Sequence, residues 1–293
     1  MVRIIGDTTS GLPGSFAESH DIPIIPQVIN IGGESYLESI EITYETFLDK
    51  LKVATELPKT AAPPPELFTE VFERFAPSGE SIICIVPSAV VSGTFRSATV
   101  GLQMAIDRGV REDIDVRIID TQLVASPVAT LLRLATHWAE QGENADTIEA
   151  RVREMSSRCR VYFMVDTLKY LAMGGRIGGA AALLGSVLQV KPVLTLREGA
   201  IATFEKVRTH RRAVARLKQL VVEQIAPGDA GHLSVMHAAA EDQAQALVEY
   251  FRDELGLTSI DVLAVPPAVV AHAGPGVLAV GFFTEQSNAH PGD

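Results

Sequence analysis

At 293 residues, 47% hydrophobic and 21% charged, the chain has the composition of a packed soluble protein and the length of two α/β domains or one large one, which excludes disordered and fibrous classes. A formal net charge of −11 repels nucleic acid at long range and makes a basic or neutral partner protein the better expectation. No charged and apolar leader pattern opens the chain and no apolar run reaches the ~18 residues of a membrane span, so the expected location is cytoplasmic.

Short β-branched runs alternate with longer amphipathic stretches, the pattern of parallel strands joined by helical crossovers. In the first half, strands are predicted at Val2 to Ile5, Ile24 to Ile29, Ile82 to Val86 and Val116 to Ile119. Thr43 is placed to cap a helix reaching about Lys52, with Glu45 in the first turn, where a carboxylate meets the positive end of the helix dipole. Pro63 to Pro65 start a second helix whose Phe68, Val71, Phe72 and Phe75 repeat with helical spacing and read first as ordinary core. Thr94 to Arg108 gives a third. From about Val161 the strands become Val161 to Val165, Val190 to Leu196, Ile201 to Val207, Leu233 to His237, Ile260 to Val265 and Val277 to Phe283, with helices at His210 to Gln224 and Glu241 to Leu255. The short gap Arg197 to Ala200 predicts an antiparallel hairpin. The expected fold class is α/β in two domains. Residues 1–160 form a parallel-sheet α/β/α domain, residues 161–286 a mixed-sheet α/β domain, and residues 287–293 a frayed tail. Cys84 and Cys159 lie in or beside apolar runs and read as buried thiols, with no zinc-ligand spacing and no disulfide expected in a reducing compartment.

Four loops carry the chemistry. Arg176 stands among Gly174, Gly175, Gly178 and Gly179, a cation where anion chemistry is better served than packing. Ser88 to Thr94 lies beyond the carboxyl end of a strand and at the start of a helix, where open α/β sheets place ligands and where backbone N–H groups favour an anion. Ser92, Gly93 and Thr94 therefore either cap the helix or hold a carboxylate or phosphate. Thr60 sits on a segment stiffened by the prolines after it, and serves as a helix cap or as a hydroxyl aimed at a ligand. His272 opens His-Ala-Gly-Pro-Gly276, a turn its glycines alone explain. Asp7-Thr-Thr-Ser10 and Asp120-Thr121 end strands and read as edge caps or Asx-turns. Arg211 and Arg212 read as a solvated helix face.

The joint order and spacing of these motifs, with Asp7-Thr-Thr after the opening strand and Lys206-Val-Arg208 before a basic helix, resemble the DegV family of bacterial fatty acid-binding proteins over nearly the whole chain. The resemblance implies a carrier that encloses a long-chain fatty acid and presents its carboxylate to a separate fatty acid kinase, which makes the acyl phosphate. It implies Thr60, Ser92, Gly93, Thr94, Arg208 and His272 at the carboxylate and Arg176 at the kinase-facing surface. It implies no catalytic residue, metal or cofactor in this chain, the fatty acid being ligand, and transient contact with a membrane surface is an accessory expectation. Ala61, Ala62 and Ala273 replace hydroxyl or amide residues common in the family, and Asp7-Thr-Thr replaces Asp-Ser-Thr.

The chemistry suits such a ligand. Each buried methylene gains about 0.8 kcal/mol, whereas an unpaired buried carboxylate is costly and needs hydroxyl or guanidinium donors. Ala180 to Leu184, Val187 and Leu188 offer a small and aliphatic wall for the acyl chain, or plain core. Two rival readings are a serine hydrolase using Ser92 with His272, which the lack of a Gly-x-Ser-x-Gly elbow disfavours, and an independent phosphotransfer protein, which the lack of a phosphate loop disfavours.

Overall fold

The structure, a computed structural model, describes residues 2–184 and 191–285. Val187, Leu188 and the expected tail at 287–293 lie outside the described residues. The chain divides into two compact units, Met1–Arg153 with Pro266–Ala268, and Glu154–Val265 with Val269–Asp293.

Unit 1 carries strands β1 (Val2–Asp7), β2 (Ile24–Ile25), β3 (Val28–Ile31), β4 (Glu34–Leu37), β5 (Lys59–Ala61), β6 (Ser81–Val86) and β7 (Val116–Asp120). Its helices are α1 (Gly14–Ser19), α2 (Tyr44–Val53), α3 (Pro65–Phe75), α4 (Thr94–Asp107) and α5 (Ser126–Glu140), and the division between units falls within α6 (Ala145–Arg158). The main sheet runs β2-β1-β6-β7, all parallel. Parallel sheets are covered on both faces, and β6 is accordingly a continuous apolar run buried from Ile82 to Val86. Ile5, Ile82, Cys84 and Val86 pack against Phe68, Phe72 and Phe75 of α3 and Ala98 and Ala105 of α4, so the phenylalanine stripe is core. The alternate face meets α5: a Cβ on Gly6 would lie 2.6 Å from Leu132.

Helices α3 and α4 cross closely at Gly101, where a Cβ would come within 2.6 Å of both Phe68 Cβ and the Pro65 carbonyl oxygen. Thr69 Oγ1 donates to the Gly101 carbonyl at 3.0 Å. That crossing, with Ser97 Oγ donating to the Pro63 carbonyl at 2.6 Å, fixes the first turns of α4 beside the segment that leads into α3. Thr43 caps α2 as expected, accepting from Thr46 N–H at 3.2 Å.

The strand expected over Ile24 to Ile29 is two strands in two sheets. β2 pairs with β1, then Pro26, with no N–H to continue the ladder, releases the chain into β3. β3 forms an antiparallel sheet of order β4-β3-β5 that the sequence pattern did not predict.

Unit 2 carries β8 (Cys159–Met164), β9 (Lys191–Arg197), β10 (Ala200–Val207), β11 (Ser234–His237), β12 (Asp261–Ala264) and β13 (Leu278–Phe283), with α7 (Lys169–Met173), α8 (His210–Gln224), α9 (Glu241–Leu255) and α10 (Pro267–Ala273), the first residues of the last grouping with unit 1. Its sheet is mixed, ordered β10-β9-β8-β13-β11-β12, with only β11 and β12 parallel among its pairs. Leu217, Leu220 and Val221 of α8 and Leu247, Val248 and Phe251 of α9 pack on Tyr162, Val193, Val235 and Val280. The β9–β10 hairpin turns through Glu198 (φ 48) and Gly199 (φ 76), the paired positive dihedrals of a turn that matches strand twist. Both cysteines are free and buried, and burial pushes both thiols up, away from reactivity.

Candidate functional site

In unit 1 the loop between β6 and α4 is tied from beneath. Ser88 N–H donates to the Leu123 carbonyl at 2.8 Å and Ala89 N–H to Asp120 Oδ1 at 3.2 Å, the same oxygen that accepts from Gln122 N–H at 2.9 Å. Asp120 is thus the Asx-turn acceptor its position suggests. Ser92 N–H donates to the Ser88 carbonyl at 2.9 Å, and Thr94 N–H to Ser92 Oγ at 3.3 Å. Two of the N–H groups expected to face an anion are therefore spent within the loop. The hydroxyls take over: Ser92 Oγ and Thr94 Oγ1 lie 2.9 Å apart, Ser92 half-buried and Thr94 fully buried.

Behind them stands Asp7, fully buried at the end of β1. Its Oδ1 accepts from Thr9 N–H at 3.2 Å and Thr9 Oγ1 at 2.6 Å, capping the turn that follows. Its Oδ2 accepts from Thr94 Oγ1 at 2.9 Å and Gln27 Nε2 at 2.7 Å. The cap reading of Asp7 is right, and incomplete: the same carboxyl organises the loop that carries Ser92. Burial raises its pKa against the pull of those four hydrogen bonds.

A second buried carboxyl, Glu38, accepts from the Thr8 hydroxyl and from Ala268 N–H, the latter at 2.7 Å, while Thr8 Oγ1 accepts from Gln27 N–H at 3.0 Å. Burial pushes Glu38 up to about 7, with the nearby Asp7 adding to the rise. Sequence reasoning missed both Gln27 and Glu38. Gln27 was legible as the one polar side chain between Ile24 and Ile29, since a polar group in an apolar strand asks for a partner. Nothing local marks Glu38.

Thr60 is on β5, paired in register with Ile29, rather than in a loop or at a helix cap, and α3 begins without a side-chain cap. The structure brings its segment to the Ser92 loop: a Cβ on Gly93 would fall 3.0 Å from Ala62 Cβ. Ala62, two residues beyond Thr60, is thus what packs on the Ser92 loop.

In unit 2 two motifs far apart in sequence pack on each other. A side chain at Gly174 would collide with His272 Nδ1, one at Gly276 (φ +82) with the Asp166 carboxyl, and one at Gly274 (φ +82) would fall 2.6 Å from the Tyr170 ring. A side chain at Gly178 (φ +50) would collide with the Ile201 carbonyl of β10. Gly174 and Gly178 are thus explained by close approach inside the unit. Half-buried Arg176 donates from Nη1 to the Gly174 carbonyl at 2.7 Å.

His272 lies on α10, not in a Gly/Pro turn. Burial and the Arg176 guanidinium push its pKa down to about 4, so at neutral pH it is an uncharged imidazole that offers an anion one N–H and no charge. Arg208 is exposed, immediately after β10 and before Thr209, which caps α8 by accepting from Arg212 N–H at 3.2 Å. Arg211 and Arg212 are exposed, as a solvated face requires. Of the proposed aliphatic wall, Ala180 and Leu183 are buried but Ala181, Ala182 and Leu184 are exposed.

Among the described residues no group of three or more His, Cys, Asp or Glu side chains is placed to hold a metal ion, and no helix is long and apolar enough to cross a membrane.

A family model for uncharacterised proteins of the DegV family matches residues 1–285. A DegV domain-containing protein of Streptomyces coelicolor is 37% identical over 281 residues, covering 95% of this chain and 97% of its own length. Solved structures show the same architecture. A DegV family protein of Thermus thermophilus described as fatty acid binding has a TM-score of 0.84 at 27% identity, and DegV of Bacillus subtilis, described as a fatty acid binding protein, has 0.86 at 28%, each covering 97% of this chain and 99% of the other. The chain belongs to the DegV family.

Proposed function

We propose that this protein encloses a long-chain fatty acid and presents its carboxylate to a separate kinase that forms the acyl phosphate. The observation that carries the reading is the near-complete likeness to the Thermus and Bacillus proteins described as fatty acid binding. The paired hydroxyls of Ser92 and Thr94 at the start of α4 support it, as polar donors are what an acyl carboxylate needs on leaving water. Thr60 and Gly93 complete the proposed carboxylate set in unit 1, and the acyl chain supplies most of the binding free energy through its methylenes.

The roles of Arg208 and His272 at the carboxylate, and of Arg176 toward the kinase, rest on the family resemblance. A neutral His272 fits hydrogen bonding better than charge pairing, and its depressed pKa makes it a poor general base. That weakens the hydrolase alternative, as does the neighbour Ser92 has: a hydroxyl backed by a buried acid.

Native mass spectrometry of the purified chain tests the proposal. A co-purified mass matching a fatty acid is expected, with Ser92→Ala lowering affinity for added fatty acid about tenfold, the worth of one charge-assisted hydrogen bond. Folded, lipid-free protein with no affinity for fatty acids would remove the reading. Covalent labelling of Ser92 by a fluorophosphonate would favour the hydrolase instead.

A further inference from the structure

Counting protons in the hydroxyl cluster fixes the direction of each bond. Gln27 Nε2 lies 2.7 Å from both Asp7 Oδ2 and Thr94 Oγ1, which are themselves 2.9 Å apart, so one amide N–H is shared between them. Thr94 has one hydroxyl proton, which goes to the Asp7 carboxylate at 2.9 Å. Ser92 must then supply the proton of the 2.9 Å contact with Thr94. Its oxygen also accepts from Thr94 N–H at 3.3 Å, so it presents a lone pair to a ligand, while an ionised carboxyl group has only lone pairs to offer. To hold a carboxylate, Ser92 turns its proton outward, Thr94 turns its proton to Ser92, and Asp7 loses a donor.

Resting on the fatty-acid reading of Ser92, we propose that Asp7, acting through Thr94, is the positioning residue that decides whether Ser92 meets its ligand as acceptor or as donor. An ionised Asp7 holds Ser92 as an acceptor, suited to a head group with a proton to give. A neutral Asp7 donates to Thr94, Thr94 donates to Ser92, and Ser92 donates to a carboxylate. A fatty acid anion is therefore bound together with one proton, taken from solvent onto Asp7 Oδ2. No bond other than O–H changes, and every lone pair in the chain remains filled: Thr94 Oγ1 accepts from Gln27 and Asp7, and Ser92 Oγ from the Thr94 hydroxyl and N–H.

The surroundings of Asp7 favour this uptake. Its hydrogen-bond partners Thr9, Gln27 and Thr94 are uncharged, and the titratable groups its charge acts on are Cys84 of β6, kept neutral by burial, and Glu38. No cation among these compensates the Asp7 charge once Thr94 turns away, and burial already favours its neutral form.

The test compares two probes that differ only at the head group, oleate and oleyl alcohol, titrated calorimetrically into the lipid-stripped full chain. In Thr94→Val the relay is broken and the Ser92 proton is freed for the ligand, so the affinity ratio of oleate to oleyl alcohol is expected to rise about tenfold, one charge-assisted hydrogen bond. Wild-type protein should take up a proton on binding oleate, read from the dependence of the enthalpy on buffer ionisation, and Asp7→Asn should take up none. A purely structural role would weaken both probes alike. Thr94→Ser, which keeps the hydroxyl, should restore the wild-type ratio, and should Thr94→Val not fold, the loss of proton uptake in Asp7→Asn tests the same relay. An unchanged ratio in a folded variant, or oleate binding by wild type without proton uptake, overturns the relay while leaving the fatty-acid reading standing. Binding of neither probe by wild type overturns both.

Discussion

Glu38→Gln gives the sharpest test of the buried acid network. The Glu38 side chain is fully buried, accepts from the Thr8 hydroxyl and Ala268 N–H, and has its pKa raised by burial from 4.5 to about 7. The folded chain therefore holds this proton more tightly than the unfolded chain. Stability from this group is complete below pH 4.5 and falls as pH rises through 7, after which the deficit is constant. At 1.36 kcal/mol per pKa unit, the full deficit is about 3 kcal/mol, of which roughly 2–3 kcal/mol falls between pH 5 and 8. Glutamine presents the same pattern as the protonated acid, an oxygen for Ala268 and, with the Thr8 hydroxyl turned from donor to acceptor, an N–H for Thr8, with no charge to desolvate. Urea unfolding at pH 5, 6, 7 and 8, following the transition of unit 1, should show the two proteins nearly alike at pH 5 and the variant more stable by about 2–3 kcal/mol at pH 8. Parallel pH profiles would mean that Glu38 is ionised at no cost, and the account of its burial would be wrong.

At His272 the sign is opposite. With its pKa at about 4 in the fold against an ordinary 6.5, the unfolded chain binds this proton more tightly, so stability is lost as pH falls from 6.5 toward 4, and His272→Gln should flatten that acid limb. Gly174→Ala should displace the imidazole that occupies the Cβ position and move its pKa back toward 6.5 in an NMR titration, an unmoved value counting against the packing described. Gly101→Ala gains about 1 kcal/mol of helix propensity but forces a methyl against the Pro65 carbonyl, and a net loss of about 1–2 kcal/mol is expected on denaturation, a neutral or stabilising result refuting the close crossing of α3 and α4. Under the proposed function, Arg176→Ala should spare fatty acid binding and impair acyl phosphate formation by a partner kinase, and loss of lipid binding instead would reassign the residue.

Much of the fold was legible because its signals are local. The apolar run of β6, the Thr43 cap, the prolines before α3 and the two-residue gap in the β9–β10 hairpin act within a few residues of themselves, so period, caps and turns reported them directly. Pro26 was equally local, yet the strand expected over Ile24 to Ile29 ran through it, and its missing N–H is what separates β2 from β3. The Ser92 loop, too, announced itself by lying between a strand end and a helix start. Its chemistry did not. Asp7 meets Gln27 20 residues on and Thr94 87 residues on, and Glu38 meets Ala268 across 230. Gly174 and His272, also distant in sequence, share one packed volume in unit 2. Hydrogen-bond partners and pKa shifts depend on which groups are driven out of water together, and a linear pattern holds no record of that. The sequence determined the strands and helices and the polar loops at their ends, while tertiary packing alone decided that a buried acid stands behind Ser92, since only the folded sheet removes Asp7 from solvent and leaves its carboxyl to the hydroxyls beside it.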